Sequence, residues 1–414
     1  MNVQQFLQKS YTAYHATRHA CAMLQEGGFV RLERGADWSL EEGGRYYLTL
    51  NDSAFVAFAV GGRDGGFEIA CAHTDSPALK VKGKELIDSP EGKRINVEVY
   101  GGLLLYSMLD IPLKVAGRVL VETPQGVESR IVESDFVVNI PSLCIHHNPD
   151  ANKGLTLNPQ QDMLPLLGEA DDLYQAMGLD KVLDADLYVV PATAPFASGK
   201  DGEWLVSPRI DNLTSVYACV QGLLAARPQG IAVAACFDNE EIGSGTKQGA
   251  GSVILEETLR RINECLGGEE KDLGRRCANG LLLSIDNGHA VHPAHPEKSD
   301  PLQRVYMGGG VVVKHHTNYA TDGVSSALFK KILSNAHVRF QDYYNRSDVR
   351  CGSTLGLISS RQLAMDAVDI GLAQLAMHSA AETVGMKDVA AMVKGVEACF
   401  NARLTREGSA ILVD

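Results

Sequence analysis

The sequence predicts an α/β fold that is interrupted by a β-rich insertion. Short apolar runs that end in turn residues occur in both halves of the chain, as buried strands do, and they alternate with stretches of helical apolar spacing. Between about residues 78 and 207 the pattern changes to short alternating segments, which is typical of half-exposed strands. We therefore expect two units, one formed by residues 1–77 and 208–414 and the other by the insertion at 78–207.

The N-terminal part predicts one helix followed by two strands. Apolar residues recur at helical spacing from about residue 3 to 26, where Gly27-Gly28 ends the pattern. The apolar runs 54–60 and 67–72 predict buried strands, and glycines between them supply a turn. The second run leads directly into His73-Thr74-Asp75-Ser76-Pro77.

The insertion is expected to be mainly β structure. Alternating segments at 95–100 and 113–121 are separated by turn residues such as Gly101-Gly102. The insertion contains no evident cluster of metal-ligand residues. We therefore expect it to have a structural or assembly role.

The α/β pattern resumes near residue 208. An amphipathic helix is predicted between about residue 210 and Arg227-Pro228, and a helical run follows near 253–266. Strands are predicted at 231–237, 281–285 and 311–313, the first ending in Asp238-Asn239-Glu240-Glu241. A last helix is expected after His378, because Ser379-Ala380-Ala381-Glu382 has the spelling of a capping box.

Composition excludes several classes of function. The net charge of −13 argues against a nucleic-acid-binding protein, and an acidic substrate would need a local cationic group. No apolar stretch reaches the roughly 18–20 residues of a membrane helix, and the first residues lack the apolar core of a secretory signal. The nine cysteines include no C-x-x-C pair and resemble reduced, packed thiols, so we expect a cytoplasmic protein.

Candidate metal ligands lie where the predicted strands end, which is where ligands gather in α/β sheets. Two imidazoles and several carboxylates, without thiolates, suit a pair of divalent ions such as zinc, cobalt or manganese. One carboxylate can bridge two ions roughly 3.5–4 Å apart, and the pair can lower the pKa of a bound water towards neutrality. The candidates are His73, Asp211, Glu240, Glu241, Asp286 and His378.

Each candidate also has an ordinary structural explanation. The glutamate pair could be a solvated acidic turn, and a histidine at a strand end is more often packed or exposed than bound to metal. Asp211 could cap a helix, Asp286 could belong to a turn, and His378 could be a capping residue. Asp75 favours the metal site, since a carboxylate two residues after His73 can orient a ligated imidazole. The residues alone are thus consistent with a metal hydrolase, and they select no substrate.

Five strings in order resemble the M18 metallopeptidases, the aspartyl aminopeptidases. The resemblance spans nearly the whole chain, including the insertion. The strings are His73-Thr-Asp-Ser-Pro77, Ser207-Pro-Arg-Ile-Asp-Asn-Leu213, Asp238-Asn-Glu-Glu-Ile-Gly-Ser244, Ser284-Ile-Asp-Asn-Gly-His-Ala-Val-His-Pro293 and Gln374-Leu-Ala-Met-His-Ser379.

The resemblance implies a dinuclear, zinc-type exopeptidase on a mixed α/β/α sheet, with cobalt or manganese as alternative ions. It also implies that the insertion is a dimerisation domain, and that dimers assemble into tetrahedral dodecamers. The substrates would be peptides that begin with Asp or Glu. In this family a general base accepts a proton from the attacking water and passes it to the leaving amine.

The resemblance also implies a role for each candidate. Glu240 would be the general base, and Asp75 would lie behind the ligand His73. Asp211 would bridge two ions, with His73 and Asp286 completing one ligand set and Glu241 and His378 the other.

The resemblance also implies that two further residues bind substrate. Lys314 matches a lysine that meets the acidic side chain of the substrate, although a strand-end lysine is usually only solvated. His146 matches a histidine that reaches a neighbouring subunit's site, with His147 as an alternative and plain surface exposure equally open. The sequence departs from relatives at Asn287-Gly288, which leaves fine specificity open.

Two alternative functions remain. One is an aminopeptidase for neutral or basic N-termini, and the other is a catalytically idle peptide-binding scaffold. A hydrolase with a serine nucleophile is disfavoured, because Gly243-Ser244-Gly245 does not have the G-x-S-x-G spelling.

Overall fold

The computed structural model describes residues 1–352 and 354–414. The α-helices in these residues are α1 Val3–Lys9, α2 Ala13–Glu26, α3 Pro159–Asp162, α4 Leu173–Ala176, α5 Ile210–Ala225, α6 Ile254–Cys265, α7 Glu270–Ala278, α8 Gly323–Asn335, α9 Gly356–Leu363 and α10 Met386–Asn401.

The strands fall into three successive stretches of the chain. The first holds β1 Val30–Arg31, β2 Arg45–Leu50, β3 Ala54–Val60 and β4 Phe67–His73. The second holds β5 Ala78–Ser89, β6 Gly92–Tyr100, β7 Leu113–Thr123, β8 Gly126–Glu133, β9 Leu166–Gly168, β10 Val182–Pro191, β11 Phe196–Ser198 and β12 Trp204–Ser207. The third holds β13 Ile231–Phe237, β14 Leu281–Ile285, β15 Gly288–His289, β16 Val311–His315, β17 Phe340–Tyr344, β18 Ala367–Gly371, β19 Ala373–Leu375, β20 Glu382–Gly385, β21 Leu404–Glu407 and β22 Ala410–Val413.

A nine-stranded mixed sheet forms the centre of the molecule, in the order β1-β2-β3-β13-β4-β14-β18-β16-β17. Its faces carry separate apolar cores, because successive side chains of a strand point to opposite sides. In β13, for example, Ala234 packs into a core with α2, α5 and α10, whereas Val233 and Ala235 pack into one with α6 and α7. Helices therefore cover both faces, and the predicted α/β class with a mixed sheet is confirmed.

Parallel pairing brings three strand ends together at one edge of this sheet. Strand β4 pairs in parallel with both β13 and β14. Phe237, the last residue of β13, lies opposite His73, the last residue of β4. The segments after β4, β13 and β14 consequently emerge side by side, where α/β proteins bind ligands.

The insertion forms a separate six-stranded antiparallel sheet in the order β8-β7-β10-β5-β6-β9, around its own apolar core. Strand β12, which precedes the predicted boundary at residue 207, pairs instead with β20. The division of the chain into 1–77 with 208–414, and 78–207, stays a prediction.

Two local predictions differ from the structure. The single N-terminal helix is two helices, α1 and α2, that are separated at Ser10–Thr12. The helix expected directly after His378 is wrong: Glu382 starts strand β20, and α10 begins only at Met386. The physical reason is that the Glu382 side chain is buried, where it accepts hydrogen bonds from the distant Asp211 amide and from the nearby His378 amide instead of capping a helix. In the described part of the chain, no helix has the length and apolar character needed to cross a bilayer.

Candidate metal centre

The predicted ligands converge in two groups that share one carboxylate. Ligand atoms of His73, Asp211 and Asp286 lie within 4.8 Å of one another, and so do those of Asp211, Glu241 and His378. In a third group of the same spacing, Glu240 joins His73 and Glu241. The structure thus brings together all six candidates from five distant parts of the chain.

Asp211 occupies the middle of this arrangement. Its Oδ1 is 3.5 Å from Nε2 of His73, and its Oδ2 is 3.5 Å from Nε2 of His378. Nε2 of His73 also lies 3.8 Å from Oδ1 of Asp286, and Nε2 of His378 lies 3.3 Å from Oε1 of Glu241. Each oxygen of Asp211 therefore faces a different ligand group.

The donor set fits two divalent ions. Oδ1 of Asp211 is buried and has no hydrogen-bond partner among the described residues, although a buried carboxylate oxygen ordinarily has one. An ion between the groups would satisfy this oxygen. Two imidazoles and several carboxylates are ligands that zinc, cobalt and manganese accept.

The ring orientations suit metal binding. Nδ1 of His378 lies 3.0 Å from the carbonyl oxygen of Gly102, and Nδ1 of His73 lies 3.1 Å from the carbonyl oxygen of Asp75. A carbonyl oxygen can only accept, so both Nδ1 atoms carry the proton. Both Nε2 atoms are then free to act as ligands and face the shared carboxylate.

The electrostatics of the site are dominated by burial and by mutual contacts. Burial alone would raise the pKa of Asp211, but the adjacent His378 and His73 rings, as cations when no metal is bound, outweigh burial and hold that pKa below its usual range. Burial raises the pKa of Glu240 to about 8, and the nearby Asp286 and Glu241 act in the same direction against His73. A cation in the site would favour the ionised form of every carboxylate here.

The side chain of Asp75 holds the Glu240-Glu241 pair in place through the backbone amides of that pair. Its Oδ1 accepts a hydrogen bond from the Glu240 amide and its Oδ2 accepts one from the Glu241 amide, both at 3.1 Å. Oδ1 also lies 3.3 Å from Nδ1 of His73. Asp75 therefore connects one imidazole with the turn that carries both glutamates, Glu240–Ile242.

Sequence reasoning missed Glu382. This buried carboxylate accepts hydrogen bonds from the amide of Asp211 at 2.9 Å and from the amide of His378 at 2.6 Å. It thereby fixes the backbone of Asp211 relative to that of His378. Its position four residues after His378 was the available signal, but the capping-box spelling explained it otherwise.

Sequence reasoning also missed the contribution of the insertion. The hydroxyl of Tyr100 donates to Oδ2 of Asp75 at 2.7 Å, and Gly102 supplies the carbonyl that orients His378. The Gly101-Gly102 pair was visible in the sequence only as a turn.

The two predicted substrate-binding residues differ in their surroundings. Lys314 is 2% exposed, and its amine donates to the carbonyl oxygens of Asp286 and Asn287 at 2.8 and 3.3 Å. His146 and His147 lie on an exposed loop of the insertion. Within one chain, the loop histidines are not among the residues that the structure groups around Asp211.

Comparison with known proteins places the chain in a family. It matches the family described as Aminopeptidase I zinc metalloprotease (M18) over residues 6–400. It is 39% identical to a probable M18 family aminopeptidase 2 of Clostridium novyi over 406 residues, which cover 92% of this chain and 94% of that relative. It is 37% identical to the protein of the same description in Stutzerimonas stutzeri, with 96% of each chain covered.

Solved structures agree with this result. The M18 aminopeptidase of Thermotoga maritima superposes with a TM-score of 0.87 at 25% identity, covering 96% of this chain and 94% of that one. The mApe1 dodecamer of S. cerevisiae gives a TM-score of 0.83 at 25% identity, covering 96% and 95%. The chain therefore belongs to the M18 family of zinc metallopeptidases and is an aminopeptidase.

Proposed function

We propose that this aminopeptidase uses two divalent ions, with zinc as the first candidate, to remove N-terminal Asp or Glu from peptides. The observation that carries the proposal is the position of Asp211, whose two oxygens face separate ligand groups. A carboxylate in this position suits a bridge between two ions. The proposed ligand sets are His73, Asp211 and Asp286 for one ion, and Asp211, Glu241 and His378 for the other.

When bound, the ions supply Lewis-acid polarisation of the scissile carbonyl and acidify the attacking water. The chain's own residues hold the groups that move protons. Glu240 takes the proton of the water on a carboxylate oxygen and donates it to the leaving amine nitrogen. Burial raises the pKa of Glu240 to about 8 in the metal-free site, and bound cations would lower it towards neutrality. A base that must later act as an acid works best near the operating pH.

Glu241 and Glu240 divide the work in this proposal. Glu241 contacts His378 and belongs to a ligand group with Asp211. Asp75 fixes the amides of both glutamates and so keeps Glu240 directed at the same space as His73. The free amine of the substrate would meet carboxylates of the site, which explains action at the N-terminus.

Cationic groups beside the site support a preference for acidic residues. Two of the three donors of the Lys314 amine are held by carbonyls, which leaves one for a substrate carboxylate. A recess of about 250 Å³ is lined by residues close in sequence to Asp286 and His378, and by Lys298, Arg346 and Asp300. Arg346 is paired with Asp348, so Lys298 is the main cation that this recess adds. In a chain of net charge −13, such local cations are needed to attract an acidic peptide.

We further propose that the chain works as a homo-oligomer in a reducing compartment such as the cytoplasm. The structural likeness to the mApe1 dodecamer supports assembly. Dimers would build a tetrahedral dodecamer in which His146 reaches a neighbouring site, as the sequence resemblance implies. Free cysteines, most of them buried, support the compartment.

The test combines metal removal with a substrate panel. Treatment with a chelator should abolish hydrolysis of Asp- and Glu-chromogenic substrates, and zinc, cobalt or manganese should restore it. Metal analysis should find two ions per chain. Activity that persists in chelator would refute the metal mechanism.

The second candidate is an aminopeptidase for neutral N-termini. The observation that favours it is the burial of Lys314, whose amine is already engaged by two carbonyls. Leu and Lys substrates in the same panel separate the candidates, since faster hydrolysis of Leu would select the second one. A scaffold without activity would hydrolyse none of the substrates.

A further inference from the structure

We propose that the insertion positions the metal centre through one segment, Tyr100–Ser107, and that the Tyr100 hydroxyl and the Gly102 carbonyl are its two essential groups. This inference rests on the proposed dinuclear site. It assigns the insertion a part in the reaction within its own chain, in addition to any part in assembly.

The Tyr100 hydroxyl connects the insertion to the acidic turn. It donates to Oδ2 of Asp75 at 2.7 Å and accepts from Nδ2 of Asn239 at 2.8 Å. Asp75 in turn accepts the amides of Glu240 and Glu241. The Tyr100 hydroxyl, at the end of β6, therefore bonds both Asp75, which contacts His73, and Asn239, which precedes the glutamate pair.

The rest of the segment holds the other ligand group. Gly102 accepts from Nδ1 of His378 at 3.0 Å, and the amide of Leu104 donates to the carbonyl oxygen of His378 at 3.0 Å. The hydroxyl of Ser107 accepts from the amide of Ala380 at 3.0 Å. Ring and backbone of His378 are thus both fixed by the insertion, although His378 itself lies outside it.

Close approach explains why glycines stand at the centre of the segment. A Cβ on Gly101 would lie 3.0 Å from Cβ of Glu241, and a Cβ on Gly102 would lie 3.1 Å from Nδ1 of His378. Gly101 also has φ +71°, a left-handed conformation that side chains disfavour. The segment therefore packs directly against Glu241 and His378, two members of the same proposed ligand set.

The two groups differ in which ligands they reach. Through Asp75, Tyr100 reaches His73 and also the backbone of Glu241, because its hydroxyl and the Glu241 amide share Oδ2 of Asp75. Gly102 contacts the set of His378 alone and does so directly. Residues that orient metal ligands from behind typically change metal affinity or activity about 10–100-fold when they are mutated. A general loss of stability would not select one ion over the other.

The experiment uses Tyr100→Phe and Gly102→Ala in the full-length protein. Tyr188→Phe is the control for the first, because Tyr188 packs edge-on against Tyr100 with ring centroids 5.5 Å apart and its hydroxyl takes no part in the bonds to Asp75 and Asn239. Gly83→Ala is the control for the second, because a Cβ there would meet no described atom within 4 Å. Each metal-free protein is titrated with Co²⁺ while its visible spectrum is recorded, and kcat and KM are then measured.

We expect Gly102→Ala to weaken the ion of the His378 set, and Tyr100→Phe to weaken both ions through Asp75, each by about 10–100-fold. The kcat should fall while KM changes little, and both controls should match the wild-type protein. Tyr100→Phe and Gly102→Ala proteins that bind both ions like their controls would overturn the inference. If Gly102→Ala does not fold, Tyr100→Phe decides, since it adds no atom. A wild-type protein that binds no ion would instead refute the proposed function and this inference with it.

Discussion

At the scale of single residues, Glu240 and Glu241 show how neighbours in sequence acquire different chemistry. The Glu241 carboxylate lies 3.3 Å from His378, and burial raises the pKa of Glu240 to about 8. An ion bound to Glu241 would neutralise it and leave Glu240 as the carboxylate that exchanges protons. The same backbone turn serves both, because Asp75 holds both amides.

Replacing Glu240 with Gln should abolish turnover and leave metal binding intact. An amide cannot accept the proton of water, and removing such a base costs about 10²–10⁴ in rate. Metal content and kcat of Glu240→Gln check this. Glu241→Gln is the matched comparison, because it should lose an ion as well as activity. A Glu240→Gln protein with unchanged kcat, or with one ion missing, would exclude Glu240 as an unliganded base.

Replacing Glu382 with Gln should weaken metal binding and stability together. Its two oxygens each accept a backbone N–H, from Asp211 and from His378, and the NH₂ of an amide cannot accept either. A buried N–H left without a partner costs about 1–3 kcal/mol. Zinc titration and urea unfolding of Glu382→Gln measure the two effects, with the exposed Glu407→Gln as control. Unchanged zinc affinity would show that Glu382 has no positioning role.

The clustering of the six candidate side chains could be predicted from the sequence, because they lie at strand ends or in the strings that resemble the family. The roles of Glu382, Tyr100 and Gly102 could not, since each makes at least one hydrogen bond to a segment distant in the chain. In the sequence alone, Glu382 fits a helix cap, Tyr100 fits a strand residue and Gly102 fits a turn.

At the scale of elements, strands buried on both faces are the most predictable part of the fold. The runs at 54–60, 231–237 and 281–285 match β3, β13 and β14 at both ends, because flanking turn residues bound a continuous apolar segment. The helix expected after His378 was wrong, because tertiary hydrogen bonds to Glu382 outweigh a local capping pattern.

Strand β4 carries a buried acid that makes stability depend on pH. Glu68 is 1% exposed, and its Oε2 accepts from the amide of Leu281 at 3.1 Å. Burial raises the pKa of Glu68 well above its usual value, so the folded chain retains a proton that the unfolded chain releases above a pH of about 4.3. The folded state therefore loses stability as pH rises from that value towards the raised pKa.

Glu68→Gln should remove this pH dependence. The amide oxygen can still accept from Leu281, and no proton needs to be retained. The variant should gain stability relative to the wild-type protein, and the gain should be larger at pH 8 than at pH 5. Urea unfolding at both pH values measures the difference. A gain that is equal at the two pH values would contradict the role of ionisation.

At the scale of the whole molecule, the chain concentrates negative charge around the candidate metal centre. Asp211, Glu240, Glu241 and Asp286 meet within one site of a protein whose net charge is already −13. Like charges at this spacing disfavour the folded state unless cations or protons offset them. Metal binding should therefore stabilise the folded state in addition to supporting catalysis.

Adding zinc to the metal-free protein should raise its Tm in proportion to the logarithm of the zinc concentration. A ligand that binds only the folded state adds about 2.7 kcal/mol at 100 times its Kd. Differential scanning calorimetry across a zinc series measures this shift. Asp211→Asn should abolish the shift, because the shared carboxylate serves both ligand groups, whereas the exposed Asp201→Asn should retain it. A zinc-dependent rise in Tm that persists in Asp211→Asn would place the stabilising ion outside the two ligand groups that share Asp211.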